Sequence, residues 1–200
     1  SGSTLDYVYR NEAKGTTLLG KLGDRAYLDS VGWQGIRQRK INLEELIAQA
    51  IRQLEKAGTP IRIVDIAAGH GRYILDAITK NRLPVEQILL RDYSDINVKA
   101  GQQMIIDRGM QHIARFAQGN AFDRDSLATL DPKPTIAVVS GLYELFPDNA
   151  PIQDSLAGLA DVHPTIFNPR HAVYVERDRG LRARQGAHGE LVPREQRDEG

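Results

Sequence analysis

A glycine-containing loop that starts with an acidic residue is the first segment whose residue types could do chemistry. Residues 61–67 form a short apolar run that contains Asp65, and Gly69 and Gly71 follow it. The two glycines allow the backbone to turn sharply and approach a ligand, and amides at the start of the next helix face that ligand. A dinucleotide fingerprint would carry a third glycine, but Ile74 stands there. The acidic residue favours a ligand with an amino-acid end over a pyrophosphate.

A second carboxylate, Asp92, closes the apolar segment 87–92, about twenty residues past the loop. A carboxylate there can accept two hydrogen bonds from a ribose diol. The alternative is that Asp92 caps the next helix. Asp95 is better placed for capping, immediately ahead of residues 96–108, so we prefer ribose binding.

Two further polar segments follow apolar runs. Residues 118–123 read Gln-Gly-Asn-Ala-Phe-Asp, and residues 140–146 read Ser-Gly-Leu-Tyr-Glu-Leu-Phe. Tyr143 and Glu144 are polar groups that can orient a substrate or accept a proton. The alternative for Glu144 is a residue at the start of a helix.

The elements that must position these residues alternate along the chain. Apolar runs predict strands at 61–67, 87–92, 113–117, 135–141 and 171–176, and helical periodicity predicts helices at 72–80, 95–108, 125–130 and 150–160. This alternation implies right-handed βαβ units and an α/β fold with a doubly wound, mostly parallel sheet. Ligands of such sheets bind beyond the carboxyl ends of the strands, where the four segments above lie.

The two ends of the chain differ from this alternation. Residues 4–40 predict an irregular lead-in with aromatic residues and glycines. A helix is predicted from Asn42, with Glu45 completing a capping box, and Gly58 ends it. Residues 177–200 are rich in Arg, Gly and Glu without a period and predict a solvated polar tail.

The loop after the first strand resembles the first motif of class I S-adenosylmethionine (SAM)-dependent methyltransferases, acidic-x-Gly-x-Gly-x-Gly. Ala67 replaces the first glycine, which is tolerable if its φ is negative. The resemblance implies a Rossmann-like SAM-binding domain over residues 41–176. It also implies that Gly69 and Gly71 flank the methionine portion of SAM and that Asp65 orients its ammonium directly or through water.

The other segments extend the resemblance in order and at plausible spacing. It implies that Asp92 and Tyr93 lie at the ribose, that Asn120 and Ala121 lie at the adenine, and that residues from Ser140 onward face the transferred methyl. The absence of an Asn/Asp-Pro-Pro-Tyr/Phe motif argues against the branch that methylates amino groups of nucleic acids.

The lead-in is similar to the N-terminal portion of a bacterial methyltransferase family that often follows an α/β-hydrolase domain. By that resemblance residues 4–40 cover the SAM site, with Tyr9 and Arg10 as lid contacts. Arg37, Arg39 and Lys40 allow an anionic substrate, but we prefer to interpret them as an exposed basic turn ahead of a helix.

The resemblance is lost after Asp161, where we expected further strands completing the sheet. This loss resembles a shifted reading frame or a truncation and leaves the C-terminal strands incomplete. The opening residues 1–3 are typical of an added stretch rather than of a signal sequence.

Composition sets outer limits on function. The net charge is +0, which gives no overall electrostatic attraction to nucleic acid. No cysteine is present, so disulfides and thiolate zinc sites are excluded, and we predict no metal site. No run has the ~20 apolar residues of a membrane span, and a cytoplasmic location is expected.

The predicted reaction is methyl transfer from SAM to a small-molecule or lipid-like acceptor. The alternatives are a non-catalytic SAM-binding domain and an NAD(P)-dependent oxidoreductase.

Overall fold

Five parallel strands form the centre of the protein. The computed structural model describes residues 2–162 and the backbone of residues 165–167. The strand order is β3-β2-β1-β4-β5, and every neighbouring pair is parallel. The strands are β1 (Arg62–Asp65), β2 (Gln87–Asp92), β3 (Ala114–Gln118), β4 (Ile136–Val138) and β5 (Thr165–Phe167).

Helices connect these strands and cover both faces. They are α1 (Gly2–Arg10), α2 (Leu18–Leu28), α3 (Val31–Lys56), α4 (Arg72–Asn81), α5 (Asp95–Asp107), α6 (Arg124–Ala128) and α7 (Asn149–Val162), with a 3-10 turn over Tyr143–Leu145. None of the helices in the described part of the chain is long and apolar enough to cross a membrane. The predicted Rossmann-like α/β fold is confirmed.

The core lies on both faces of the sheet because neighbouring strand residues point to opposite sides. Ile63 packs with Ile47 and Ile74 of α3 and α4, whereas Val64 packs with Leu159 of α7. Burial on both faces is what a parallel sheet covered by helices requires. The chain enters at β1 and winds first towards β3 and later towards β5, so the strand order reverses between β1 and β4. A ligand crevice is expected at that point.

The prediction of an irregular lead-in over residues 4–40 is wrong, because α1, α2 and the start of α3 cover most of this segment. Helix α3 begins after Ser30, not at Asn42, and Asn42 lies inside it, accepting a hydrogen bond from Gln38. Gly32 and Gly35 are tolerated on the exposed side of α3, although each costs about 1 kcal/mol relative to alanine. Packing of the helix's apolar face outweighs that cost.

The sheet also continues past Asp161, where we expected the sequence pattern to be lost. Thr165–Phe167 pairs with Ile136–Val138 as β5. The predicted fifth strand at 171–176 and the predicted tail at 177–200 lie outside the described residues.

Candidate active site

A cavity of ≈210 Å³ lies at the carboxyl ends of β1, β2 and β4, beneath α1. Six of the predicted site residues line it: Tyr9, Ala67, Gly69, Gly71, Asp92 and Ser140. We call residues 65–71 with Asp92 the loop end of the cavity, and residues 140–145 with Arg39 the β4 end. The cavity is smaller than the roughly 300–1,000 Å³ of typical ligand pockets. It therefore encloses only part of a nucleoside-sized ligand while α1 stays in this position.

Both glycines of the loop have left-handed backbone conformations. Gly69 has φ 59° and Gly71 has φ 75°. A Cβ on Gly71 would lie 2.3 Å from Cδ1 of the buried Leu90, so glycine is required there for space as well as for φ. Ala67 is not among the described residues with positive φ, which confirms the condition on which its replacement of glycine depended.

Three amides of the loop are hydrogen-bonded within the protein, and the prediction that amides at the start of the next helix face a ligand stays a prediction. Gly69 N donates to Asp92 Oδ2 at 2.9 Å, and Gly71 N donates to Ala68 O at 2.8 Å. Ala67 N donates to Asp65 Oδ1 at 3.1 Å. Buried backbone N–H groups must find partners, and neighbouring carboxylates provide them. The loop is thus held in shape by its acidic residues.

Asp65 lies beneath the loop and not in the cavity. Its side chain is fully buried, and the Tyr73 hydroxyl donates to its second carboxyl oxygen. Burial raises the pKa of Asp65 to about 7, and the hydrogen bonds from Tyr73 and Ala67 oppose the rise. A direct contact with a ligand ammonium is not available in this arrangement.

Asp92 lines the cavity, but most of its acceptor capacity is in use. Besides the Gly69 amide, Ser94 N and Asn97 Nδ2 donate to Oδ1 at 2.9 and 3.0 Å. An ionised carboxylate has about four acceptor sites, so one remains on Oδ2. Asp92 can accept one bond from a diol, and a second only if it releases the loop.

Tyr93, predicted at the ribose, and the two residues predicted at the adenine do not line the cavity. Tyr93 is 77% exposed, and Ala121 is buried. Asn120 Oδ1, the atom predicted to meet an exocyclic amine, accepts from Phe122 N at 3.0 Å instead. This side-chain oxygen stabilises its own turn.

The two predicted catalytic residues point away from the cavity or are tied to a cation. The Tyr143 hydroxyl bonds to Ser155 Oγ at 2.8 Å within the second core cluster, and burial raises the pKa of Tyr143 to about 12. Tyr143 as a proton acceptor is therefore wrong, because its hydroxyl is buried and engaged. Glu144 Oε1 accepts from Arg39 Nη1 at 2.8 Å.

Helix α1 forms the roof of the cavity and is fastened to the glycine loop. Asp6 Oδ1 accepts from Arg72 Nε at 2.5 Å, Arg10 lies 2.7 Å from Oδ2, and His70 Nδ1 lies 3.6 Å from Oδ2. Burial alone would raise the pKa of Asp6, but the bonds from His70 and Arg72 outweigh it and lower the pKa. Arg10, predicted as a lid contact, holds Asp6 and does not line the cavity.

Sequence reasoning missed these roof residues. Gly2, in the stretch interpreted as added, lies with its Cα 3.5 Å from the Cβ position of Gly69 and lines the cavity. The sequence analysis did not single out Asp6, because two of its partners, His70 and Arg72, lie 64 and 66 residues further along the chain.

The three basic residues of α3 serve three different purposes. Arg37 Nη1 donates to Leu28 O, and Lys40 pairs with Glu44 and Asp76. Arg39 alone of the three lines the cavity. The prediction of an exposed basic turn is wrong, because all three lie within α3 and none is fully exposed.

The family of the chain follows from comparison with known proteins. The model of a family described as "Putative methyltransferase" matches residues 1–169, so the chain belongs to this methyltransferase family. The match includes the opening residues and continues to residue 169, so the family pattern extends eight residues beyond Asp161, where we expected its loss.

One curated relative and two solved structures are similar to this chain. "Uncharacterized protein YnbC" of Escherichia coli (strain K12) is 57% identical over 161 residues, which are 80% of this chain and 27% of YnbC. The chain thus spans about a quarter of that relative's length. The bifunctional kinase-methyltransferase WbdD has a TM-score of 0.52 at 16% identity, covering 82% of this chain and 34% of WbdD. An S-adenosylmethionine-dependent methyltransferase from Clostridium acetobutylicum has a TM-score of 0.47 at 11% identity, covering 60% of this chain and 44% of its own. The fold is that of class I methyltransferases.

Proposed function

We propose that the chain is a SAM-dependent methyltransferase that binds SAM in the cavity beneath α1 and methylates a small-molecule or lipid-like acceptor. The observation that carries this proposal is the loop end. A left-handed Gly69-x-Gly71 turn and the Asp92 carboxylate meet where the strand order reverses, in a chain of a methyltransferase family. The family favours this reaction over the oxidoreductase alternative.

The residues of the cavity fit this donor. Asp92 retains one acceptor site for a ribose hydroxyl, and Ala67 and Gly69 offer a surface without bulky side chains. When bound, SAM supplies a methyl group on a positively charged sulfur, from which an electron-rich acceptor atom can displace it. The task of the chain is then to position the acceptor and exclude water. The cavity has a volume of ≈210 Å³, so we expect part of the donor to extend beyond it.

The second candidate is a SAM-binding domain without catalytic activity. It is favoured by the commitment of Tyr143 to Ser155 and of Glu144 to Arg39, which leaves neither predicted proton acceptor poised for that role. An adjoining α/β-hydrolase domain stays a proposal, as do the absence of a nucleic-acid partner and the cytoplasmic location.

The test is ligand-induced thermal stabilisation of the full chain. We expect SAM and S-adenosylhomocysteine (SAH) to raise the melting temperature, because a ligand at ~100 times its Kd stabilises the native state by ~2.7 kcal/mol. Stabilisation by NADH but not by SAH would overturn the proposal. Binding of SAM without methyl transfer to any acceptor of a cell extract would favour the non-catalytic candidate.

A further inference from the structure

The β4 end of the cavity carries a guanidinium from a distant part of the chain. Arg39 extends from α3, and its side chain is 22% exposed. Nη1 donates to Glu144 at 2.8 Å, and Nη2 lies 3.3 Å from the position that a Cβ on Gly141 would take. The guanidinium is thus fixed beside the segment that follows β4.

One donor of this guanidinium has no partner. Arg39 Nε is buried and makes no hydrogen bond among the described residues. A buried donor without a partner costs about 1–3 kcal/mol, which an incoming acceptor can recover. Glu144 engages Nη1 and Tyr9 also hydrogen-bonds the guanidinium, so Nε is the donor that is left for an incoming carboxylate.

The surroundings of Arg39 are largely apolar. Leu142 and Leu145 come from the same segment as Gly141, and both line the cavity. Tyr9 of α1 also lines it, and burial raises the pKa of this partly buried hydroxyl although the charge of Arg39 and its hydrogen bond oppose the rise. A ligand at this end meets apolar walls and one fixed cation, which suits an apolar body with an anionic group.

The acidic side chains around the cavity are engaged in bonds within the protein. Asp65 and Asp92 hold the loop, Asp6 holds the roof, and Glu144 holds Arg39. An acceptor that is ionised without help needs none of them as a base. Carboxylic acids, with an ordinary pKa of about 4, are ionised at neutral pH.

We propose that the methyl acceptor is a carboxylic acid with an apolar body, that Arg39 binds its carboxylate, and that the product is a methyl ester. This inference rests on the proposed function. A carboxylate oxygen forms a bond to the methyl carbon while the carbon–sulfur bond of the sulfonium donor breaks and its electron pair stays on sulfur. The anion and the cation become a neutral ester and a neutral thioether, and no proton moves.

Binding of matched probes to the SAH-saturated full chain tests the inference. The probes are octanoate and phenylacetate, compared by calorimetry with octanamide and phenylacetamide. We expect the acids to bind and the amides to bind at least about tenfold more weakly, because only a charged acceptor engages the guanidinium fully. Equal binding of amides, or no binding of either acid, would overturn the inference.

Two variants assign the effect to this guanidinium. Arg39→Gln should weaken acid binding by at least about tenfold. Arg52→Gln makes the same change at an exposed position of the same helix and should leave acid binding unchanged. Equal acid affinity of Arg39→Gln and wild type would contradict the role of Arg39. With labelled SAM, the methyl label in the product should be released as methanol by alkali, and an alkali-stable label would contradict ester formation.

A second experiment tests whether Arg39 binds the carboxylate of the acceptor or the carboxylate of the donor. SAH carries a carboxylate, whereas 5′-methylthioadenosine carries none. If Arg39 serves the acceptor, Arg39→Gln changes the affinity for both nucleosides by less than about twofold. A loss confined to SAH would show that Arg39 binds the donor and would overturn the inference while preserving the proposed function. Failure of wild type to bind either nucleoside would instead overturn the proposed function.

Discussion

The two ends of the cavity are held in place by groups of opposite charge. At the loop end, carboxylates pair with backbone amides and fix the path of the chain. At the β4 end, a guanidinium from α3 is held by Glu144 and keeps a buried donor without a partner. The cited amide donors of the loop end have partners within the protein, whereas Arg39 Nε at the β4 end has none among the described residues. We infer that the loop end supplies shape for the donor and that the β4 end supplies charge for the acceptor.

Replacement of the loop glycines should have the largest effect on stability. The two glycines should differ in the size of the loss. Gly71→Ala places a Cβ 2.3 Å from Leu90 and requires a left-handed φ, so we expect a loss of about 3 kcal/mol or more in the free energy of unfolding. Gly69→Ala requires the same φ but meets only Gly2 at 3.5 Å, and about 1–2 kcal/mol is expected. Urea unfolding measures both. Equal losses would contradict the packing of Gly71 against Leu90.

The pH dependence of Asp65→Asn should be the next largest effect. Because burial raises the pKa of Asp65 to about 7, its carboxyl contributes most to stability below the unfolded pKa near 4 and loses that contribution as the pH rises through 7. The substitution should therefore cost more free energy of unfolding at about pH 5 than at about pH 8. Asp95→Asn, at an exposed residue, serves as the control. If the loss of unfolding free energy caused by Asp65→Asn grew with pH, it would contradict an Asp65 carboxyl that is buried without a cationic partner.

Removing one hydroxyl near each end of the cavity compares the stability of the two ends directly. Tyr73→Phe deletes the donor to the buried Asp65, and about 1.5–3 kcal/mol of stability should be lost. Tyr143→Phe deletes a bond to the neutral Ser155, and about 1 kcal/mol should be lost without a change in SAH affinity. Chemical denaturation and calorimetry provide the two readouts. A loss of methyl transfer in Tyr143→Phe at full stability would restore Tyr143 as a catalytic residue.

The sheet was predictable because its signals are local. The segment 87–92 has the bounds of β2, and the helix predicted at 95–108 differs from α5 by one residue at its end. Buried strands and amphipathic helices are encoded by neighbouring residues. The lead-in was not predictable in this way, since its glycines disfavour a helix locally and the packing of α1 and α3 decides the outcome.

The candidate site was predictable at its backbone positions and less so at its side chains. Gly69, Gly71 and Asp92 lie at the cavity because strand ends meet at one edge of a parallel sheet. The partner of each side chain was not encoded locally. Glu144 meets Arg39 across 105 residues of sequence, and no spacing rule indicates such a pair. Polar residues after β4 were correctly located, but their orientation towards Ser155 or Arg39 depends on tertiary packing.

The most direct test of the account is a calorimetric titration of SAH into wild type, Asp92→Ala and Asp95→Ala. Asp92 both holds Gly69 and retains an acceptor site in the cavity, whereas Asp95 lies exposed at the start of α5. We predict one site per chain and a loss of about 1.5–3 kcal/mol in Asp92→Ala, which is a ten- to hundredfold weaker Kd, with Asp95→Ala unchanged. No binding to wild type, or equal affinity of wild type and Asp92→Ala, would contradict the proposed donor site.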